Sequence, residues 1–113
     1  MQVYDEANTL ARAIRESDVC QDYRRMKEAV DSDETSRALV KEYKRLQLQL
    51  QMAAVSGAQT SDADVTRFQQ ISGLLFAQES TAQMLLCEMR VQQMMADVYK
   101  ILGDAAGIEL PGM

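Results

Sequence analysis

Apolar residues recur along most of the chain at alternating spacings of three and four, the period of an amphipathic α-helix. Val3, Ala7, Leu10 and Ile14, with Ala11 beside them, predict a helix over 2–17. Arg12 and Arg15 lie off that stripe. Val19, Tyr23, Met26 and Val30 carry a second helix that starts at a Ser17 or Asp18 cap and ends near Asp31. The run Asp31-Ser32-Asp33 breaks the pattern, and Asp33 is placed as the N-cap of a third helix over 34–55. Ser56 to Ser61 reads as a loop, with Gly57 as helix C-cap and Ser61 as the next N-cap. Val65, Phe68, Ile71 and Leu75 predict a fourth helix over 62–78, with Gly73 as a point where it bends or packs closely. Glu79-Ser80-Thr81 marks a further break. The fifth helix, over 81–106, keeps the alternation longest, through Met84, Cys87, Val91, Met94, Val98, Ile101 and Ala105. That length of repeat is the signature of a helix–helix seam.

The third helix is the centre of the pattern. Leu46 to Met52 reads LQLQLQM, which alternates like a strand. Leu, Gln and Met are nonetheless good helix formers, and no β-branched residue interrupts the run. The flanking positions Leu39, Tyr43, Leu46, Leu50 and Ala53 hold helical spacing. Two residues apart on a helix means roughly 200° of rotation. Leu46 and Leu50 therefore face one way, and Leu48 and Met52 the opposite way. A helix apolar on two sides needs two partners: the rest of its own chain is one, and a second chain is a candidate for the other.

Composition supports this reading. The chain has 113 residues, 8 Met, no Trp, 5 Gly and 1 Pro, so almost nothing in it breaks helices. The predicted fold is all-α, about five helices in an elongated bundle. A single helical domain spans 1–106, and 107–113 form a tail whose Ile108 and Leu110 can dock. No signal-peptide pattern or membrane-length apolar run is visible, so the chain reads as cytoplasmic.

Charge and chemistry narrow the function. The net charge of −5 opposes a whole-protein nucleic-acid footprint. Nine of the 12 basic residues precede residue 46, and Arg37, Lys41, Lys44 and Arg45 form a basic strip on the third helix. That strip is either a solvated face or a contact with RNA or an acidic protein. Few aromatic stacking residues accompany it, which favours the solvated face over RNA. There is no histidine, nucleophile elbow, phosphate-binding loop or dinucleotide fingerprint, so no catalytic residues are assigned. No metal ligands are assigned either. Cys20 and Cys87, 67 positions apart, lack CxxC spacing. Each reads as a small buried hydrophobe, and together they could complete a cluster only across subunits or with another protein. The candidate oligomer interface comprises Leu46, Leu48, Leu50 and Met52 with Met84, Val91 and Met94.

Several segments carry a family likeness: Tyr4-Asp5-Glu6-Ala7, Leu10 through Ser17 (LARAIRES), Tyr23, Lys27, Val30, Asp33, Tyr43-Lys44-Arg45-Leu46-Gln47, and Met94-Met95-Ala96-Asp97-Val98. In these the chain resembles the YlbF/YmcA family of short bacterial helical proteins. The resemblance implies an intertwined homodimer or larger oligomer and a regulatory, non-enzymatic role in competence, sporulation and biofilm development. It implies partners among paralogous family members, a YaaT-like protein and RNase Y, in mRNA processing. No cofactor is assigned to the chain by itself; the resemblance leaves room for an iron–sulfur cluster only within such a complex, for which Cys20 and Cys87 are the candidate ligands. Two alternatives stay beside the regulatory adaptor: a redox or iron–sulfur sensing subunit, and direct RNA binding through the basic strip.

Overall fold

The computed structural model describes residues 2–109 and contains five helices. They are α1 (Gln2–Glu16), α2 (Asp18–Asp31), α3 (Glu34–Ser56), α4 (Asp62–Ala77) and α5 (Glu79–Ala106). Among the described residues there is no strand. The LQLQLQM run is helical, as its propensities require.

The helix ends show why the chain turns where it does. Ser17 closes α1 by donating its hydroxyl to the Ile14 carbonyl at 2.6 Å. The same oxygen accepts from the Cys20 N–H at 3.2 Å, which caps α2. Gly57 ends α3 in the left-handed conformation, φ 76°, that glycine reaches without strain. Ser61 caps α4 by accepting from the Asp64 N–H at 3.2 Å. Gly107, φ 74°, ends α5. There the Ile108 N–H bonds the Gly103 carbonyl at 3.2 Å and the Gly107 N–H bonds Asp104 at 3.3 Å, the paired bonds of a Schellman motif.

Two ends differ from the sequence reading. Asp33 has N-cap backbone geometry, but its side chain makes no capping bond to a backbone N–H. Its carboxylate instead accepts the Ser36 hydroxyl at 2.6 Å. The break before α5 is shorter than the three residues Glu79 to Thr81. Gln78 alone leaves the helical conformation, and α5 begins at Glu79. Thr81 lies within α5, fully buried, and its hydroxyl bonds the Leu75 carbonyl and, at 3.1 Å, the Gln78 carbonyl. It thereby supplies a partner to the Leu75 carbonyl in the last turn of α4, which the helix itself leaves open, while the Gln78 carbonyl also accepts the Ala82 N–H at 3.0 Å.

The chain divides into two compact units, 1–25 with 85–113, and 26–84. The second unit is built on α3 against α4. Its interior holds Val30, Leu46, Ile71, Leu75 and Met84, all nearly inaccessible to solvent. Complete burial of such a side chain is worth about 1.5–3 kcal/mol. Tyr43 of α3 stacks on Phe68 of α4, ring centroids 5.1 Å apart. At the surface Arg67 of α4 grips Glu42 of α3 with two bonds, at 3.0 and 3.2 Å. Gly73 is not a close-packing point: a Cβ there would meet nothing within 4 Å.

The first unit is more open. It contains α1, the start of α2 and most of α5. Cys20, Leu85 and Cys87 are its buried apolar residues. No residue of α1 is buried. The Tyr23 hydroxyl donates to Glu88 at 3.1 Å, and the Arg24 guanidinium donates to the Arg15 carbonyl at 2.9 Å. Ile108 stands exposed, and Leu110 lies outside the described residues.

Candidate functional site

The α5 seam predicted from spacing is covered only in its first turns. Met84 and Cys87 are buried, Val91, Met94 and Val98 are half-buried, and Ile101 is exposed. On the adjoining face Leu85 is buried, whereas Met89, Tyr99 and Leu102 are exposed. The α1 stripe is similarly uncovered, with Val3 73% exposed.

Where these two stripes meet, they leave an open groove of ≈ 620 Å³. Val3, Ala7, Leu10 and Ile14 line it from α1, and Met95, Val98, Tyr99 and Leu102 from α5. Its walls are almost entirely apolar, with Gln2 and Glu6 also lining it. A ligand pocket for a polar metabolite would place convergent polar groups at its base. This groove instead matches the apolar stripe of another helix.

The second exposed surface is on α3. Leu46 is buried inside its own unit, Leu50 is half-buried, and Leu48 and Met52 are 57% and 63% exposed. Arg37, Lys41 and Arg45 are exposed and Lys44 is half-buried. Arg45 donates to Gln49 at 3.2 Å. Glu42, beside this strip, ionises below the ordinary carboxylate range. The chief cause is its hydrogen bond from Arg67, and the positive charges of Arg67 and Arg45 add to it.

Cys20 and Cys87 are free, buried thiols in the first unit. Among the described residues no group of three or more His, Cys, Asp or Glu side chains is arranged to hold a metal ion. Two thiols do not make the donor set of an iron–sulfur cluster, so one chain does not fit such a group by itself. Also among the described residues, no helix is long and apolar enough to cross a membrane.

The sequence reading missed the groove. Its two stripes were visible, but spacing alone does not show which stripe is left uncovered.

Comparison with known proteins decides the family. The family model described as control of competence regulator ComK, YlbF/YmcA, matches residues 3–105. The chain belongs to the YlbF/YmcA family. A UPF0342 protein of Caldicellulosiruptor saccharolyticus is 29% identical over 95% of this chain and 89% of its own length. One from Geobacillus is 30% identical over 88% of this chain and 86% of its own. Among solved structures, a protein of unknown function (DUF964) from Bacillus stearothermophilus superposes with a TM-score of 0.78 at 24% identity. It covers 95% of this chain and 94% of its own. Bacillus subtilis RicA, solved in complex with RicF, superposes with a TM-score of 0.63 at 19% identity, covering 94% of each chain. Both likenesses establish the shared all-helical fold of the family.

Proposed function

We propose that this chain is a non-enzymatic regulatory adaptor of the cytoplasm that works by pairing with a second chain of its own family. The observation that carries the proposal is the α1/α5 groove. A soluble helix does not retain an uncovered stripe of this length without a partner to bury it. The structural neighbour RicA, itself solved in complex with RicF, supports a family chain as the occupant. A second copy and a paralogue offer the same kind of amphipathic helix.

Family membership extends the reading downstream, to RNase Y-dependent mRNA processing and the developmental programmes it serves. The absence of histidine and of recognisable catalytic motifs is in keeping with action through contacts rather than turnover. The decisive experiment measures mass in solution, for the chain alone and mixed with each YlbF/YmcA paralogue from the same cell. A doubled mass, or a one-to-one complex, is the expected result. A monomer in every mixture would overturn the adaptor reading. The downstream part is tested separately, by comparing RNase Y cleavage products in cells with and without the gene. Unchanged products would remove that part alone.

A further inference from the structure

The basic strip and the exposed apolar pair on α3 lie on the same face of one helix. Arg37, Lys41, Lys44, Leu48, Met52 and Val55 follow one another at spacings of four, three, four, four and three. At 3.6 residues per turn these positions line one ridge, about 27 Å long. The ridge points away from the buried side of the helix, which carries Ser36 and Leu46. The exposures agree: Arg37 and Lys41 are exposed, and Leu48, Met52 and Val55 are 57%, 63% and 91% exposed. Arg45 flanks the basic half, and Glu34 in the first turn is the one acidic residue on the ridge. The ridge is thus divided lengthwise, cationic in its first half and apolar in its second.

This order constrains the occupant. A second copy of α3 laid antiparallel would set cations against leucine and methionine, and laid parallel it would set cations against cations. A nucleic acid would use the phosphate-binding half and leave the apolar half without a role. A membrane-surface helix has cations flanking an apolar stripe along its length, not gathered at one end. We propose that the α3 ridge docks a helix of a regulatory partner protein whose contacting face is acidic in one half and apolar in the other. The inference rests on the adaptor reading above and names the chemistry of a contact separate from the family pairing.

The test uses the full chain and a fluorescent, side-chain-stapled peptide of about 20 residues, long enough to span the ridge. One face of the peptide carries glutamates in its first half and leucines in its second. A composition-matched isomer alternates the two residue types. Anisotropy titration is expected to show the block peptide binding at least about tenfold more tightly than the isomer, with an affinity that falls as salt rises. The double variant Arg37→Glu, Lys41→Glu should lose that advantage and regain it when the peptide's glutamates become lysines. Leu48→Gln with Met52→Gln should weaken binding at every salt concentration. All four side chains are exposed, so these variants retain the fold, which circular dichroism verifies.

Equal binding of the two peptides, or no charge-swap rescue, would overturn the proposal. So would loss of self-association in the Leu48→Gln, Met52→Gln variant, which would place a second copy on the ridge. Binding of anionic vesicles or RNA that depends on both halves would do the same. A chain that pairs with its family partner but ignores the peptide loses this inference and keeps the adaptor reading. A chain that binds the peptide but remains a monomer in every mixture keeps the ridge and loses the family pairing.

Discussion

Leu46 and Leu48 are the same residue type, two positions apart on α3, and truncating each to alanine should give different answers. Leu46 is 1% exposed and Leu48 is 57% exposed. Both substitutions change helix propensity by the same small amount, so that effect cancels in the comparison. What remains is burial. Removing the Leu46 side chain strips a filled interior position and leaves a cavity, a combination that costs about 2–5 kcal/mol. Leu48 already exposes more than half its surface. A fully buried leucine is worth about 1.5–3 kcal/mol, so Leu48→Ala should cost under about 1 kcal/mol. Against a total stability of about 5–15 kcal/mol, the first variant is severely weakened and the second is nearly normal. Urea unfolding followed by far-UV circular dichroism, at several protein concentrations, measures both. Equal costs for the two variants, or a larger cost for Leu48→Ala at the lowest concentration, would show that α3 does not have one inward and one outward face. A Leu48→Ala cost that grows with protein concentration would mean that a second copy covers the ridge, contrary to the occupant argued above.

Other perturbations probe other parts of the structure. Gly57→Ala and Gly73→Ala both place a Cβ in open space, yet they should act with opposite signs. Gly57 sits at φ 76°, so alanine there should destabilise by about 1 kcal/mol, while Gly73 is helical and alanine there should stabilise by about 0.5–1 kcal/mol. Matching signs in thermal melts would contradict the backbone assignment. Thr81→Val removes the buried hydroxyl that serves the Leu75 and Gln78 carbonyls and should cost about 1–3 kcal/mol, with Thr81→Ser much milder. Equal melting temperatures for the Val and Ser variants would mean that the hydroxyl does nothing. Glu42 has a folded pKa below its ordinary 4.5, so its stabilising pairing is fully present above that pH and is lost as pH falls through the folded value. The stability difference between wild type and Glu42→Gln should therefore be flat near neutrality and vanish in acid. A difference that grows on acidification would have the wrong sign.

Much of the fold follows from local chemistry, and residue by residue the reasons are visible. Ser17, Gly57 and Ser61 mark helix ends because a hydroxyl acceptor or a left-handed glycine solves the problem of unpaired backbone groups there. Thr81 is different. In sequence it looks like one of three capping residues, and its buried bond to Leu75 depends on how tightly the chain folds back after Gln78. Asp33 shows the same limit, since a nearby Ser36 hydroxyl competes for the carboxylate. The candidate surfaces were half legible. Helical periodicity identified the stripes of α1 and α5, but periodicity reports only that a face is apolar. Whether Val3 or Leu102 is covered depends on tertiary packing. On α3 the ridge from Arg37 to Val55 was present in the spacing, yet it is seen as one surface only when Leu48 and Met52 are found exposed beside the basic residues.

Sedimentation velocity of three proteins tests the pairing through the α1/α5 groove: wild type, Tyr99→Glu with Leu102→Glu, and Leu48→Gln with Met52→Gln. Each is run alone and with a family paralogue. Wild type and the α3 variant should sediment as paired species, and the groove variant as a folded monomer. A wild type that stays monomeric in every mixture, or a groove variant that pairs as well as wild type, would contradict it.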